Sequence, residues 1–345
     1  MESNIEIESG QLSAEINARR RSASVSDDYS VQKTNDDATE CKYAAVQLNY
    51  WSDKFIHHFV YSGSDVIHRR DPEILRGYWA RHAAVTSLVF QFLQEAGASA
   101  QIVNLGAGFD TLYWRLKESG VKFYKFVEID FSSVTSKKIR LIRRPNKDAN
   151  LTQYFNHPVS ENQHSDLHAG DYHLMGADLR QIREFEEKLQ SASLDPSVPT
   201  LFIAECVLVY MDDVHTEMLL SEISRAFKIV SFISYEQVNM TDTFSKVMLN
   251  NLNNRGIMLP GLTACESLET QKKRFLSCGW TSVNAWTMSD IYNSYLSPTE
   301  VSRIEAIEPL DERELLTQLL DHYMILYASR DTVKGSRNFA ELSVK

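Results

Sequence analysis

The chain has 345 residues and is 43% hydrophobic, so it can form one large domain or two small ones with well-buried cores. Its formal net charge of −10 argues against a nucleic-acid-binding protein, because such a surface needs clustered cations to displace counterions from phosphates. Four dispersed cysteines without a C-x-x-C pair argue against a disulfide framework and a structural metal site, and they indicate reduced thiols in the cytoplasm.

The first forty residues are polar and contain few large apolar side chains. Such a segment cannot offset the entropy lost on ordering, so we expect residues 1–40 to be a disordered tail. The N-terminus has no apolar signal-peptide core. The longest apolar stretch, "LFIAECVLVYM", is too short for a bilayer and contains Glu205. We expect a soluble, cytoplasmic protein with no membrane partner.

Two helical segments follow the tail. Trp51, Phe55 and Phe59 recur every four residues, which predicts one aromatic face of a helix packed in the core. In the next segment, "PEILRGYWARHAAVTSLVFQFLQEAG", Pro72 is typical of a helix start and Gly97 of a helix end.

Buried strands and helices then alternate. The predicted strands are "QIVNL", "KFYKFVEID", "YHLMGADLR", "LFIAEC" and "IVSFISYE", followed near the end by "TSVNAWTM" and "HYMILYAS". Alternation of this kind predicts a parallel sheet covered by helices on both faces. The last two strands predict an antiparallel edge, so we expect an α/β fold with a mostly parallel, seven-stranded sheet.

Two stretches, residues 145–170 and 241–275, interrupt this alternation. Long insertions at strand ends of α/β folds usually build or cover the site. We therefore expect one domain, 41–345, made of N-terminal helices 41–98, a ligand-binding core 99–240, a helical lid insertion 241–275 and C-terminal strands with a helix 276–330.

Two glycines, Gly106 and Gly108, lie at the first strand-to-helix turn. Ligands of open α/β sheets bind outside the carboxyl ends of the strands, and glycine lets a ligand approach the main chain there. Thr111 stands where the third glycine of a G-x-G-x-x-G motif would be, so the dinucleotide-binding motif is incomplete.

Acidic residues follow three of the predicted strands. Asp130 closes the second strand at the spacing from which a carboxylate reaches ribose hydroxyls, although an acid can also simply end a strand. Asp178 and Leu179 offer an adenine ring an acceptor and an apolar cover. Glu205 lies in an apolar run, where an unpaired carboxylate would be costly, which favours a functional role. Together these residues predict an adenosine-containing ligand.

Two further clusters of residues could be mistaken for a metal site and a charged binding patch. The loop "HPVSENQHSDLHAGDYH" is rich in metal-ligating types, but its spacing matches no established site, so we expect no metal; the residues are His157, His164, Asp166, His168, Asp171 and His173. The basic run "SKKIRLIRRPNK" predicts the solvated face of a helix.

The motifs "NLGAGFDTLYWRL", "FVEID", "GADLR", "AECVLVYM", "YEQVN" and "SLETQKKRFLSCGW" resemble those of the leucine carboxyl methyltransferases. The resemblance runs from about Cys41 to about Tyr327, with separated motifs in the same order and spacing. The segment "VYSGSDVIHRR" is slightly longer than the family pattern, and residues 145–170 show little of it. The resemblance implies a class I methyltransferase (Rossmann-like) fold with an N-terminal helical extension and lid insertions.

The resemblance also implies an activity. Members of this family transfer a methyl group from S-adenosylmethionine to the α-carboxylate of the C-terminal leucine of the protein phosphatase 2A catalytic subunit. The methyl ester formed regulates assembly of the phosphatase holoenzyme. We therefore expect S-adenosylmethionine as the methyl donor, no metal, the phosphatase tail as partner, no nucleic-acid partner, and a monomer.

By resemblance, the methyl-donor site contains Lys42, Arg81, Gly106, Asp130, Asp178, Leu179 and Glu205, to which the glycine turn adds Gly108. Arg81, Glu205 and Tyr210 are the expected catalytic residues, with Arg81 and Lys42 holding the methionyl carboxylate of the donor. No general base is expected, because an α-carboxylate is already ionised at neutral pH. Tyr210 and Tyr235 are candidates to orient the acceptor, and residues 241–275 with Trp51 and Phe55 are candidates for its pocket wall.

Three alternatives remain open. The enzyme could methylate another carboxylate, on a small molecule or a tRNA side chain. The chain could be a binding module that caps the phosphatase tail without catalysis, although its complete set of donor-site residues argues against this. A dinucleotide-dependent oxidoreductase would need the third glycine and gives "GADLR" no role.

Overall fold

The computed structural model describes residues 28–60, 70–144, 150–333 and 338–344. The helices are α1 (28–47), α2 (Pro72–Ala96), α3 (Leu112–Ser119), α4 (Ser132–Arg143), α5 (Ile182–Ser191), α6 (Asp213–Ala226), α7 (Thr243–Asn254), α8 (Leu268–Ser277), α9 (Met288–Asp290), α10 (Pro298–Glu305) and α11 (Glu314–Asp321). The strands are β1 (Gln101–Leu105), β2 (Lys125–Asp130), β3 (Ser160–Asn162), β4 (Asp166–Ala169), β5 (Tyr172–Gly176), β6 (Thr200–Glu205), β7 (Ile229–Gln237), β8 (Ser282–Thr287) and β9 (Tyr323–Asp331).

All nine strands form one sheet, in the order β3-β4-β5-β2-β1-β6-β7-β9-β8. Five neighbouring strands of this sheet, β5, β2, β1, β6 and β7, run parallel. Strand β9 pairs antiparallel with both β7 and β8. The predicted mostly parallel sheet with an antiparallel edge is confirmed. The prediction of seven strands is two short, because 145–170 adds β3 and β4 to the opposite edge. These strands are short and polar, so they lack the apolar signature of the others.

The sheet is buried on both faces. Successive residues of a strand point to opposite faces, and in β1 Ile102 packs into one apolar cluster while Val103 packs into another. Helix α2 covers the first face with side chains such as Phe92, and α5 covers the second with Phe185. Among the helices of the described ranges, none combines the length and apolar character needed to cross a membrane.

The N-terminal prediction needs correction. Residues 28–40 belong to α1, so the expectation of a disordered tail is wrong for them, whereas residues 1–27 lie outside the described part. The polar composition of this segment is offset by contacts to the body of the domain: Asp28 pairs with Arg180, and Asn35 accepts a hydrogen bond from the Phe109 amide. Most helical stability in proteins comes from such tertiary contacts and not from propensity.

The aromatic segment before α2 is buried as predicted but is not a helix. Phe55 and Phe59 are fully buried, yet only Ile56–Phe59 forms a single 3-10 turn. The Asp53 carboxylate accepts the Phe55 and Ile56 amides at 2.9 and 3.2 Å, which supplies these donors with a local partner other than a helical carbonyl. The predicted helix from Pro72 to the glycine at 97 is confirmed by α2 and its C-cap.

Candidate active site

A cavity of about 370 Å³ lies at the carboxyl ends of the parallel strands. Every residue assigned from the sequence to the donor site or to catalysis lines it: Lys42, Arg81, Gly106, Gly108, Asp130, Asp178, Leu179, Glu205 and Tyr210. Parallel strands bring their carboxyl ends to one edge of the sheet, which explains why residues scattered along the chain meet here. The structure thus brings these residues together, while their individual roles stay predictions.

The floor of the cavity is the glycine turn after β1. Gly106 and Gly108 have φ values of +58° and +50°, in the left-handed region that side chains disfavour. A Cβ on Gly106 would lie 2.5 Å from Val207 Cγ2, and one on Gly108 would overlap Asn35 Oδ1. Conformation therefore favours glycine at both positions, and the Val207 side chain leaves little space for a Cβ at Gly106.

Asp130 ties the end of β2 to this turn. Its Oδ2 accepts the Gly108 amide and its Oδ1 accepts the Phe131 amide, both at 2.7 Å. Burial raises the pKa of the Asp130 carboxyl, while the two amides act in the opposite direction. The carboxylate is thus held at the rim of the glycine turn.

Arg81 and Glu205 form an ion pair in the wall of the cavity. Arg81 extends from α2, and its Nε donates to Glu205 Oε2 while its guanidinium lies 4.5 Å above the Tyr235 ring centre. Burial, the largest single effect, disfavours the charged guanidinium, but Glu205 together with Cys206, Tyr235 and Tyr78 raises the pKa of Arg81 well above its ordinary value. The pair thus fixes the Arg81 guanidinium against the end of β6.

Lys42 supplies a second cation. Its Nζ lies 3.3 Å from Asp110 Oδ2, next to the glycine turn. Burial by itself would raise the pKa of Asp110, but the charges of Lys42 and Arg115 outweigh it and lower that pKa. Lys42 and Arg81 both line the main cavity and a smaller one beside it. Two cations at one end of a cavity suit a ligand carboxylate.

Arg180 is a site residue that sequence reasoning missed. It forms a fork with Asp178, with Nε 2.9 Å from Oδ1 and Nη2 2.8 Å from Oδ2. The same Nη2 reaches Asp28 of α1 at 2.8 Å. These bonds raise the pKa of Arg180, the bond to Asp178 most. Arg180 belongs to the "GADLR" motif, but its contact with Asp28 of α1 joins segments that are far apart in the sequence, so the motif alone does not predict it.

The cavity is also lined by Tyr210 and by the apolar residues Met248, Leu252 and Ile257 of the 241–275 insertion. The proposed contribution of Phe55 to the acceptor wall is wrong, whereas that of Trp51 stays a prediction. Phe55 is fully buried in the core, and Trp51 stacks on His82 at 4.6 Å beside the smaller cavity.

The histidine-rich segment holds its carboxylates in ion pairs. Asp166 lies 2.7 Å from Lys188 Nζ, and Asp171 lies 2.7 Å from Lys117 Nζ. His168 and His173 contact each other through their Nδ1 atoms at 2.7 Å. In the part of the chain that the structure describes, no three potential ligands of the His, Cys, Asp or Glu type converge on one point.

A family model and several full-length relatives point to the same protein family. The family model for leucine carboxyl methyltransferase matches residues 30–224. A leucine carboxyl methyltransferase 1 of Caenorhabditis elegans is 53% identical over 92% of this chain and 96% of its own, and that of Rattus norvegicus is 41% identical over 88% and 91%. The human tRNA wybutosine-synthesizing protein 4 is 37% identical over 90% of this chain and 45% of its own. On these matches, the chain belongs to the leucine carboxyl methyltransferase family.

Proposed function

We propose that this protein methylates the α-carboxylate of the C-terminal leucine of the protein phosphatase 2A catalytic subunit, with S-adenosylmethionine as methyl donor. The observation that carries the proposal is the single cavity in which the glycine turn, Asp130, Asp178 and the Arg81–Glu205 pair converge. The relatives named leucine carboxyl methyltransferase 1 support a leucine carboxylate as acceptor.

The donor fits the residues present. Asp130 would accept the ribose hydroxyls, and Asp178 with Leu179 would contact the adenine. Arg81 and Lys42 would hold the methionyl carboxylate, because both line the main cavity and the smaller cavity beside it. When bound, S-adenosylmethionine supplies an electrophilic methyl group on a positively charged sulfur.

The proposed chemistry needs alignment more than proton transfer. A carboxylate oxygen forms a bond to the methyl carbon as the carbon–sulfur bond breaks, which yields a methyl ester and S-adenosylhomocysteine. A cation and an anion become neutral along this path. A cation clamped on the attacking oxygen would stabilise the ground state more than the transition state, so we assign Arg81 mainly to the donor. The protein contributes by aligning the two groups and excluding water.

We expect kcat/KM to stay level between about pH 6.5 and 8.5, because the acceptor carboxylate has a pKa of about 3.5. Burial, with Arg115, lowers the pKa of His82 well below its ordinary value, so His82 stays neutral. Burial raises the pKa of Cys206 to about 12 and also raises that of Tyr210, so both stay protonated. Initial rates across this range check the expectation. A bell-shaped profile with a limb near neutral pH would contradict it and indicate a general base.

The acceptor is tested with radiolabelled S-adenosylmethionine and the intact phosphatase core, against the same core without its last leucine. Label is expected on the intact form alone. Mild alkali should release the label as methanol, since the product is an ester. Label on both forms, or on neither, would overturn the proposed acceptor.

One relative favours a second candidate, a carboxylate on a tRNA side chain. The human tRNA wybutosine-synthesizing protein 4 aligns with 90% of this chain. The net charge of −10 disfavours tRNA as a partner. The same labelling assay with tRNA as acceptor decides between the two.

A further inference from the structure

Glu236 is a fully buried carboxylate directly beneath the cavity wall. It lies near the end of β7, with 0% of its surface exposed. Its Oε1 accepts the backbone amides of Val207 and Leu208 at 3.0 and 2.8 Å. The carboxylate therefore caps the start of the 3-10 turn Leu208–Tyr210, which follows β6.

The turn that Glu236 caps begins with a strained residue. Cys206 has a φ of +57°, in the left-handed region that is uncommon for residues other than glycine. Such a conformation persists only where the surroundings fix it. The Cys206 amide bonds the Tyr235 carbonyl at 2.7 Å, and the next two amides bond Glu236. Residues 235 and 236 of β7 thus hold three consecutive amides of the turn.

The same turn touches both sides of the cavity. Val207 packs so closely on the glycine turn that a Cβ on Gly106 would lie 2.5 Å from its Cγ2. Tyr210, at the other end of the turn and the proposed acceptor-orienting residue, lines the same cavity. Glu205 immediately precedes the turn and pairs with Arg81. A shift of this turn would therefore disturb the donor and acceptor sides together.

Buried polar side chains of α8, Arg274 and Gln271, contact the end of β7 next to Glu236. Arg274 is 7% exposed, and its Nη2 donates to Gln271 Oε1 at 2.7 Å, while Gln271 Nε2 donates to the Gln237 carbonyl at 2.9 Å. Within the described residues, Glu236 Oε2 and Arg274 Nε and Nη1 have no hydrogen-bond partner. Burial raises the pKa of Glu236, and Arg274 opposes that rise. A buried carboxylate whose second oxygen has no hydrogen-bond partner among the described residues is costly, so Glu236 calls for a reason other than stability.

We propose that Glu236 is a positioning residue: by accepting the Val207 and Leu208 amides it fixes residues 206–210, so that Glu205, Val207 and Tyr210 face the cavity. This gives a role to Glu236 of the motif "YEQVN", whose neighbouring residues Tyr235 and Gln237 line the cavity. The activity part of the inference rests on the proposed function, whereas the geometry of the turn does not.

Two variants separate the hydrogen bonds from the charge. Glu236→Asp keeps the charge but withdraws the oxygen from the amides by one methylene, whereas Glu236→Gln keeps the length and a carbonyl acceptor. The matched control is Ser231→Ala, at a fully buried position of the same strand whose hydroxyl bonds Tyr327, away from the turn. Each variant is compared with the wild type by thermal unfolding, which measures stability separately.

Amide hydrogen exchange of residues 206–211 and calorimetric binding of S-adenosylhomocysteine provide readouts that do not depend on the acceptor. In Glu236→Asp we expect exchange of the Val207 and Leu208 amides to accelerate, and donor affinity and kcat/KM each to fall, by about tenfold or more. Glu236→Gln should stay within about threefold of the wild type, and Ser231→Ala should change stability only.

Fast turn exchange in Glu236→Gln, or a folded Glu236→Asp with wild-type exchange and donor affinity, would overturn the inference. If Glu236→Asp does not fold, Glu236→Gln alone still decides, because it must retain slow exchange of both amides. If wild-type protein fails to methylate the phosphatase, the proposed function falls, while the exchange and binding results still test Glu236.

Discussion

Replacing Arg81 with lysine is expected to weaken the binding of S-adenosylhomocysteine by about ten- to a hundredfold, the equivalent of one lost charge-assisted hydrogen bond. Lysine retains the charge but lacks the planar guanidinium, whose several N–H donors can bond Glu205 and a ligand carboxylate at the same time. Arg81 already uses its Nε on Glu205 and lies over the Tyr235 ring, so its remaining N–H groups are directed by both neighbours. Isothermal titration calorimetry measures the affinity directly.

The matched control is Arg76→Lys, in the same helix. Arg76 is also buried, but its Nη2 donates to the Glu305 and Glu308 carbonyls, and it does not line the cavity. This variant should lose stability and keep its donor affinity. If Arg81→Lys bound the donor as the wild type does while methylation was lost, Arg81 would serve the acceptor and our assignment would be wrong.

Part of the cavity lining could be predicted from the sequence because it lies at strand ends, although Lys42 and Arg81 lie within helices α1 and α2. A strand with an apolar run and a terminal acid is visible locally, as at Asp130 and Glu205, and parallel pairing then brings the two ends to one edge. The glycine turn is visible for the same reason, since Gly106 interrupts an apolar run. The side chain that each strand end contributes to the cavity can thus be recognised from the few residues around it.

The rest of the site depends on contacts between distant segments. Asn35 reaches the Phe109 amide and Asp28 reaches Arg180 from a segment whose composition predicts disorder. Trp51 has the spacing of a helical face, but a local Asp53 cap ends that pattern. The burial of Glu236 beneath a turn of another strand leaves no signal in its neighbours. Tertiary contacts of this kind override local propensity.

The largest expected effect on stability concerns Lys138. The sequence predicts a solvated helix face for the basic run that contains it, but the Lys138 side chain is 0% exposed. Its Nζ donates to Glu128 Oε2 at 2.5 Å and to the Asp110 carbonyl at 2.8 Å, which ties α4 to β2 and to the glycine turn. Tyr172 donates a further bond to the same Glu128 oxygen at 2.7 Å.

Lys138→Met is expected to lower the free energy of unfolding by about 3–5 kcal/mol, because removal of one partner leaves the other charge buried and unpaired. Denaturant titration measures the loss. Lys272→Met is the control, since its pair with Glu269 is exposed on the surface of α8 and should contribute about 1 kcal/mol or less. The double variant Glu128→Gln with Lys138→Met should recover part of the stability, because no unpaired charge remains.

The loss in Lys138→Met should also grow with pH. Burial raises the pKa of Glu128 from its ordinary 4.5 to about 7, although Lys138 opposes the rise. A raised carboxyl pKa means that the folded state holds the proton more tightly, so the contribution of Glu128 to stability is complete below about pH 4.5 and is lost as the pH rises toward 7. Without Lys138 that pKa rises further, and an unpaired Glu128 must either bind a proton or be buried as an anion. The difference from the wild type should therefore be larger at pH 8 than at pH 6. A loss that is independent of pH, or no larger than that of Lys272→Met, would show that Glu128 does not depend on Lys138.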